Sequence, residues 1–322
     1  MRKSLVRRAL IAIGLFAAGA ALAQGFPTRS IRLVVGYPPG GLTDGVARTL
    51  APGLSESLGQ QVFVDNRGGG GSTIGTDIVA KAAPDGHTLL VADQALITNP
   101  SLYAKLPFDT LKDFQPVLLV GAASLVIVVH PSLPVRSVKE LVALAKSHPG
   151  DINYASGGNG TATHLAGELF KQVAGVQMVH IPYKGAGLAI IDLLGGHVSL
   201  MFSSVGAAAP HANAGKIKAL AVTGESRIQV LPGVPTLAEA GYPAASVVGY
   251  WGVLAPAGIP RDVLDKLSSA IAAVVKHPEV RQRLLDQGVD PTGSGPAEYD
   301  RIIRAEIGRW AKVIRQAGIK VD

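Results

Sequence analysis

The chain is 322 residues long, carries a formal net charge of +7 and contains 39 glycines but no cysteine. Without cysteine there is no disulfide framework, no lipid anchor on a cysteine behind a leader, and no cysteine-ligated zinc. Setting aside the four basic residues of the leader reduces the charge to +3, and the remaining basic residues are scattered, which excludes the concentrated stripe of a nucleic-acid binder.

Arg2, Lys3, Arg7 and Arg8 head an apolar run over residues 9–23 that ends in the small-x-small triplet Ala21-Leu22-Ala23. A permanent membrane helix needs about 20 apolar residues. This shorter run with its basic head has the form of a cleavable secretory signal over residues 1–23, and export to the periplasm is expected. From Ile31 onward, β-branched runs alternate with stretches of helical spacing. Strands are expected at residues 31–37, 61–65, 88–93, 125–130, 152–156, 178–183, 198–203, 217–223 and 247–255. In residues 138–147, Val138, Leu141, Val142 and Ala145 form one apolar face, opened by the capping box Ser137-x-x-Glu140. The last third is helical in pattern over residues 261–276, 278–287 and 296–317. There Tyr299, Ile302, Ile303, Ile307, Trp310, Val313 and Ile314 make one long stripe, which reads as a core-facing surface. The alternation predicts an α/β fold with mostly parallel sheet buried on both faces, in two lobes joined by more than one crossing of the chain.

Glycine clusters where predicted strands give way to predicted helices. The clearest cases are Gly36-Tyr-Pro-Pro-Gly-Gly-Leu-Thr-Asp44, Asn66-Arg-Gly-Gly-Gly-Gly-Ser-Thr73, Ser156-Gly-Gly-Asn-Gly-Thr161 and Tyr183-Lys-Gly-Ala-Gly187. Such turns lie at the carboxyl ends of strands, where open α/β folds bind ligands. Glycine admits close backbone approach, and the following helix offers free N–H groups and a positive dipole end. Together they predict a site for a small organic anion. No Gly-x-x-x-x-Gly-Lys-[Ser/Thr] loop occurs, and Gly68–Gly71 lacks Gly-x-Gly-x-x-Gly offsets, so neither nucleotide nor dinucleotide cofactor is expected. There is no Gly-x-Ser-x-Gly elbow and no His-x-x-x-His spacing, so neither a catalytic set nor a metal site emerges. Three residues stay ambiguous. Asp44 either complements the dipole of the first helix or meets a cation on a ligand. His164 either touches ligand or serves as a cap or core residue, and Lys184 either pairs with a carboxylate or stands in solvent. A periplasmic enzyme acting on a small acid would have only these three to draw on.

Taken in order, several segments resemble the Bug-type, or TctC-like, periplasmic solute receptors of tripartite tricarboxylate transporters. They are Pro27-Thr-Arg-Ser-Ile-Arg-Leu-Val-Val35, Tyr37-Pro-Pro-Gly-Gly-Leu-Thr-Asp44 with Ala47-Arg48, Val64-Asp-Asn-Arg-Gly-Gly-Gly-Gly71 and Pro84-Asp-Gly-His-Thr-Leu89. Further on come Asn99-Pro-Ser-Leu-Tyr103, Tyr154-Ala-Ser-Gly-Gly-Asn-Gly160, Val179-His-Ile-Pro-Tyr-Lys-Gly185 and Pro235-Thr-Leu-Ala-Glu239. The resemblance implies a type II periplasmic-binding-protein fold, with two α/β lobes around a ligand cleft. It implies a discontinuous first lobe, residues 24–122 plus 230–322, and an inserted second lobe, residues 123–229. It further implies a monomeric receptor without catalytic activity that captures a small organic carboxylate, a mono- or dicarboxylate before a tricarboxylate. That ligand would be handed to membrane permease subunits or, alternatively, presented to a sensor kinase. Carried over by position, first-lobe contacts fall on Tyr37, Gly40, Gly41, Asp44, Ser72 and Thr73, with Gln94 in a loop where the family often has small hydroxyl residues. Second-lobe contacts fall on Ser156, Gly160, Thr161 and Ser203. Leu42 also departs from a position that is often small or polar.

Overall fold

The computed structural model describes residues 25–319, so the expected signal segment lies outside the described residues. Ten strands form one sheet. They are β1 (Ile31–Val35), β2 (Val62–Asn66), β3 (Thr88–Ala92), β4 (Phe114–Val129), β5 (Asn153–Ser156), β6 (Val179–Pro182), β7 (Leu200–Ser204), β8 (Lys218–Val222), β9 (Val248–Pro256) and β10 (Val289–Ser294). The order is β2-β1-β3-β9-β4-β7-β5-β6, and β8 and β10 also pair with β4. The helices are α1 (Leu42–Leu58), α2 (Thr73–Ala80), α3 (Gln94–Leu102), α4 (Val138–Ser147), α5 (Ala162–Ala174), α6 (Ala186–Leu194), α7 (Val205–Asn213), α8 (Arg261–Lys276), α9 (Pro278–Asp286) and α10 (Pro296–Ala317).

The expectation of a mostly parallel sheet needs correction. The β1–β2, β1–β3, β5–β6 and β5–β7 pairs are parallel, but every pairing of β4 and β9 is antiparallel. The sheet is mixed because β4 is far longer than its apolar run from Leu125. Its first part carries Pro116, Gly121, Ala122 and Ala123, residues of weak strand propensity. Phe114–Ser124 pairs with β9, whereas Leu125–Val129 pairs with β7. One strand therefore runs through both halves of the sheet. Gly121 is required there, since a Cβ would lie 2.3 Å from the Asp290 carbonyl oxygen of β10. The strand β10 escaped the sequence reading because Pro291 and Gly293 interrupt it, and it lies at an edge with an irregular register, where proline is tolerated.

Beyond β8 the chain stays attached to that strand. Val222 N–H donates to the Pro235 carbonyl, Leu237 N–H to the Val222 carbonyl, and Val247 N–H to the Thr223 carbonyl. Only then does β9 begin.

Both faces of the sheet are buried, which is why its strands read as continuous apolar runs. Ile31, Leu33 and Val35 of β1 pack with Val46, Leu50 and Leu54 of α1 and Leu267 and Ile271 of α8. Val34 points the other way, into a core shared by both halves with Ile127, Tyr154, Phe170 and Phe202. The stripe on α10 faces that core as expected: Tyr299, Ile303, Trp310 and Ile314 are buried in it, with Ile302, Ile307 and Val313 packed alongside. Val126 and Val128 of β4 join a third cluster with Leu193 of α6 and Val205 of α7. The capping box forms with one change of partner. Ser137 Oγ accepts from Glu140 N–H at 3.2 Å, while Glu140 reaches back to the Arg136 N–H at 2.6 Å.

Candidate ligand-binding cleft

A cavity of about 410 Å³ opens where the carboxyl ends of strands from the two halves of the sheet face each other. One wall comes from Tyr37–Pro39 and Gly41–Thr43 after β1, from Asp93 after β3 and from Trp251 of β9. The other comes from Leu125 of β4, Gly157 and Thr161–Thr163 after β5, Lys184–Leu188 and Ile191 after β6, and Ser204 at the end of β7. The N-cap residues of five helices line this single space: Gly41 of α1, Asp93 of α3, Thr161 of α5, Gly185 of α6 and Ser204 of α7. The first N–H groups of a helix have no intrahelical acceptor, and each terminus carries a partial positive charge. Five such ends around one space favour an anion. The rest of the lining is largely apolar, with Pro38, Pro39, Leu42, Leu125, Leu188 and Ile191. Lys184 is the one side-chain cation and Asp93 the one side-chain anion among the described residues of the wall.

Asp93 sits at the centre of a polar cluster. Its Oδ1 accepts from the Tyr37 hydroxyl at 3.2 Å and from Ala95 N–H at 3.0 Å. Its Oδ2 accepts from the Thr43 hydroxyl at 3.1 Å, and Thr43 Oγ1 in turn accepts from Trp251 Nε1–H at 3.1 Å. Desolvation pushes the Asp93 carboxyl above its ordinary range despite these donors, and it raises the Tyr37 phenol as well.

Of the residues expected at the site, Tyr37, Gly41 and Thr161 lie on the cavity wall. Gly40 stands beside it with its N–H bonded to Asp44 Oδ2 at 3.0 Å. Asp44 lies off the wall, in the first turn of α1, where its carboxylate also accepts from Arg48 Nε–H and Asn66 Nδ2–H. Burial alone would raise its pKa, but these hydrogen bonds outweigh burial and hold it below the usual range. Ser72 and Thr73 open α2 on the far side of Gly36, with Ser72 buried against Thr76 and off the wall. Ser156 is buried, its Oγ 2.7 Å from His180 Nε2 and accepting from Gly158 N–H. Ser203 is buried too and donates to the Ser204 carbonyl. Gly160 has a φ of +77° and sits so close to Leu102 that a Cβ would lie 2.6 Å from it. Its carbonyl accepts from Thr98 Oγ1 across the cleft, and its N–H donates to His164 Nδ1. Gln94 is buried, and neither atom of its side-chain amide has a partner.

His164 therefore supports a loop rather than lining the cavity. Its ring stacks on His180 at 4.0 Å, and His180 stacks on Tyr154 at 4.9 Å, directly behind residues 157–160. Lys184 is exposed at the cavity edge. Thr43, Asp93, Ser204 and Trp251 were not singled out by the sequence. Asp93 and Ser204 carried a usable signal, an N-capping residue type between a strand and a helix, whereas Trp251 lies 208 residues from the hydroxyl it holds. No cluster of side chains able to hold a metal ion occurs among the described residues.

This architecture, a curled mixed α/β sheet in two halves around one cleft, is that of periplasmic binding proteins. The solved structure of the periplasmic binding protein BugD superposes with a TM-score of 0.88 at 35% identity, covering 92% of this chain and all of the other. Rpa4515 of R. palustris, solved with adipate, gives 0.89 at 36% identity over 92% of this chain and all of its own. MatC (Rpa3494) from Rhodopseudomonas palustris, solved with malate, gives 0.83 at 32% over 90% of this chain and all of its own. Protein BugT of Bordetella pertussis is 39% identical over 98% of both chains. The family described as tripartite tricarboxylate transporter family receptor matches residues 46–319. The chain belongs to that family, as a Bug-type solute-binding receptor and not an enzyme.

Proposed function

We propose that this receptor is exported by its signal at residues 1–23, captures a small organic carboxylate in the periplasm and delivers it to the permease of a tripartite tricarboxylate transporter. The observation that carries the ligand class is the meeting of five helix N-termini on one cavity. The adipate and malate held by Rpa4515 and MatC favour the same chemistry. We assign direct contacts to Tyr37, Gly41 and Thr161, and to the backbone N–H groups that open α1, α5 and α6. Gly40, Asp44, Ser72, Thr73, Gln94, Ser156, Gly160 and Ser203 then shape the turns that present those groups.

The lobes in this reading are residues 25–123 with 248–319, and residues 124–247. The second boundary is drawn at β9 rather than after residue 229 because the intervening segment is hydrogen-bonded to β8. The receptor acts as a monomer whose lobes close on the ligand.

Protein lacking residues 1–23, unfolded and refolded to remove copurified ligand, tests the reading by thermal shift against a panel of carboxylates that includes adipate and malate. At about 100 times its Kd, a ligand adds about 2.7 kcal/mol to stability, which for a chain of this size means a rise of several degrees. No shift with any carboxylate would overturn the ligand class. Deletion of the gene should abolish uptake of the solute that binds, and undiminished uptake would overturn delivery.

A further inference from the structure

The hydrogen-bond directions around Asp93 restrict what the cavity can recognise. A hydroxyl has one proton to donate. The Tyr37 proton is directed at Asp93 Oδ1 and the Thr43 proton at Asp93 Oδ2, while the indole N–H of Trp251 is directed at Thr43 Oγ1. What Tyr37, Thr43 and Asp93 have left for the cavity is lone pairs. Oδ2 accepts from one described donor where Oδ1 accepts from two, so it keeps the greater free capacity.

No side-chain cation is among the groups that bond this carboxylate, which are two hydroxyls and one backbone N–H. A carboxylate in such a place is costly until a positive charge meets it. The facing wall is the reverse: Lys184 and the opening N–H groups of α5 and α6 are donors. The side-chain acceptors thus cluster at Asp93, beside the opening N–H groups of α1, and face donors on the other wall, with Leu42, Leu125, Leu188 and Ile191 between them.

We propose that the ligand is an amino-substituted carboxylic acid with an apolar body, a zwitterion whose ammonium rests on Asp93, and that Asp93 is the residue that determines this specificity. The proposal rests on the carboxylate-receptor reading above and narrows it. The ligand carboxylate lies toward Lys184 and the N-termini of α5 and α6, and the ammonium directs its N–H groups at the lone pairs of Asp93, Tyr37 and Thr43. An acid of the same shape without the amine leaves the Asp93 charge uncompensated and binds more weakly.

Isothermal titration of the refolded protein with matched acids tests this. The probes are leucine against 4-methylpentanoate, phenylalanine against 3-phenylpropionate, and 6-aminohexanoate against hexanoate, with adipate and malate as amine-free references. In at least one pair the amino acid is expected to bind about tenfold or more tightly than its amine-free twin, the worth of one charge-assisted hydrogen bond. In Asp93→Asn, which keeps an N-capping side chain for α3 but removes the charge, that ratio should fall to about one. Tyr37→Phe, which removes one lone-pair donor and leaves the cap intact, should lower the ratio without abolishing it. If amine-free acids bind as tightly as their twins in every pair, or the Asp93→Asn ratio equals that of the unaltered protein, the proposal fails while the carboxylate reading stands. If no acid of either kind binds, both fail together.

Discussion

His164 and His180 lie face to face behind the loop of residues 157–160, and each holds part of it, through Gly160 N–H and Ser156 Oγ respectively. Burial depresses His164 to about 4, helped by the positive charge of Lys171. It depresses His180 to about 3, with the neighbouring His164 and Lys171 lowering it and Glu168 opposing them. In the unfolded chain an imidazole titrates near 6.5. Above that pH both rings are neutral in either state and add no pH dependence. As pH falls from about 6.5 toward 4, the unfolded chain takes up protons that the folded rings refuse, so stability falls. The slope for one such histidine approaches about 1.4 kcal/mol per pH unit, less where solvent reaches the ring. Urea unfolding at pH 7, 6 and 5 should show this loss. His164→Gln, which keeps an acceptor for Gly160 N–H, should be less stable at pH 7 but flatter with pH, and equal slopes in the two proteins would disprove the assignment. At this scale the sequence was partly legible. It marked Asp44 and His164 as ambiguous, and each resolves to an internal partner, because a side chain's direction depends on what packs around it. Asp93 was hidden at the end of a predicted strand, where nothing local distinguishes a cap from a cavity wall.

Helix α6 carries two apolar side chains at its cavity-facing edge, Leu188 and Ile191, which are 52% and 61% exposed. Three residues apart, they share one side of the helix. An apolar ligand body lying between the walls would cover them. Replacing both with serine should leave unfolding free energy within about 0.5 kcal/mol, since both are already in solvent. Ligand affinity should drop roughly tenfold from lost apolar contact. Unchanged affinity by titration would mean the ligand does not touch α6. Elements with strong periodicity were legible in advance, α10 most of all. The first part of β4 and all of β10 were not, because Pro116, Gly121, Pro291 and Gly293 read locally as breaks. Pairing to β9 on one side and β10 on the other keeps the first part of β4 extended, and an edge position spares Pro291 a missing donor.

Across the molecule, α3 and the turn before α2 in one half meet the loop of residues 157–160 in the other. Thr98 Oγ1 reaches the Gly160 carbonyl at 3.0 Å, and Gly71 packs so near Asn159 that a Cβ would lie 3.0 Å from its carbonyl oxygen. In the proposed reading, a ligand held from both walls favours a closed arrangement of the lobes by its difference in affinity for the two states. Small-angle scattering of ligand-free protein should therefore give a larger radius of gyration than the same protein saturated with its tightest ligand. Identical profiles at saturation would rule out closure as the response. The halves are tied elsewhere as well: β4 pairs in both, and Gly206 N–H donates to the Gln287 carbonyl at 3.2 Å.

By itself the sequence determined the α/β class, the core faces of its helices, the capping box of α4 and the glycine turns that end its strands. These are properties of neighbours within one or two turns of chain, where backbone sterics and hydrophobic period act. Only the tertiary structure decided that β4 and β9 run antiparallel, which five helix ends share a cavity, and that Tyr37 and Thr43 give their protons to Asp93, leaving lone pairs of all three for the cavity. The reason is distance along the chain. Trp251 orders a hydroxyl 208 residues away, and Thr98 meets Gly160 across 62. Such pairings are set by sheet order and packing, which no local pattern encodes.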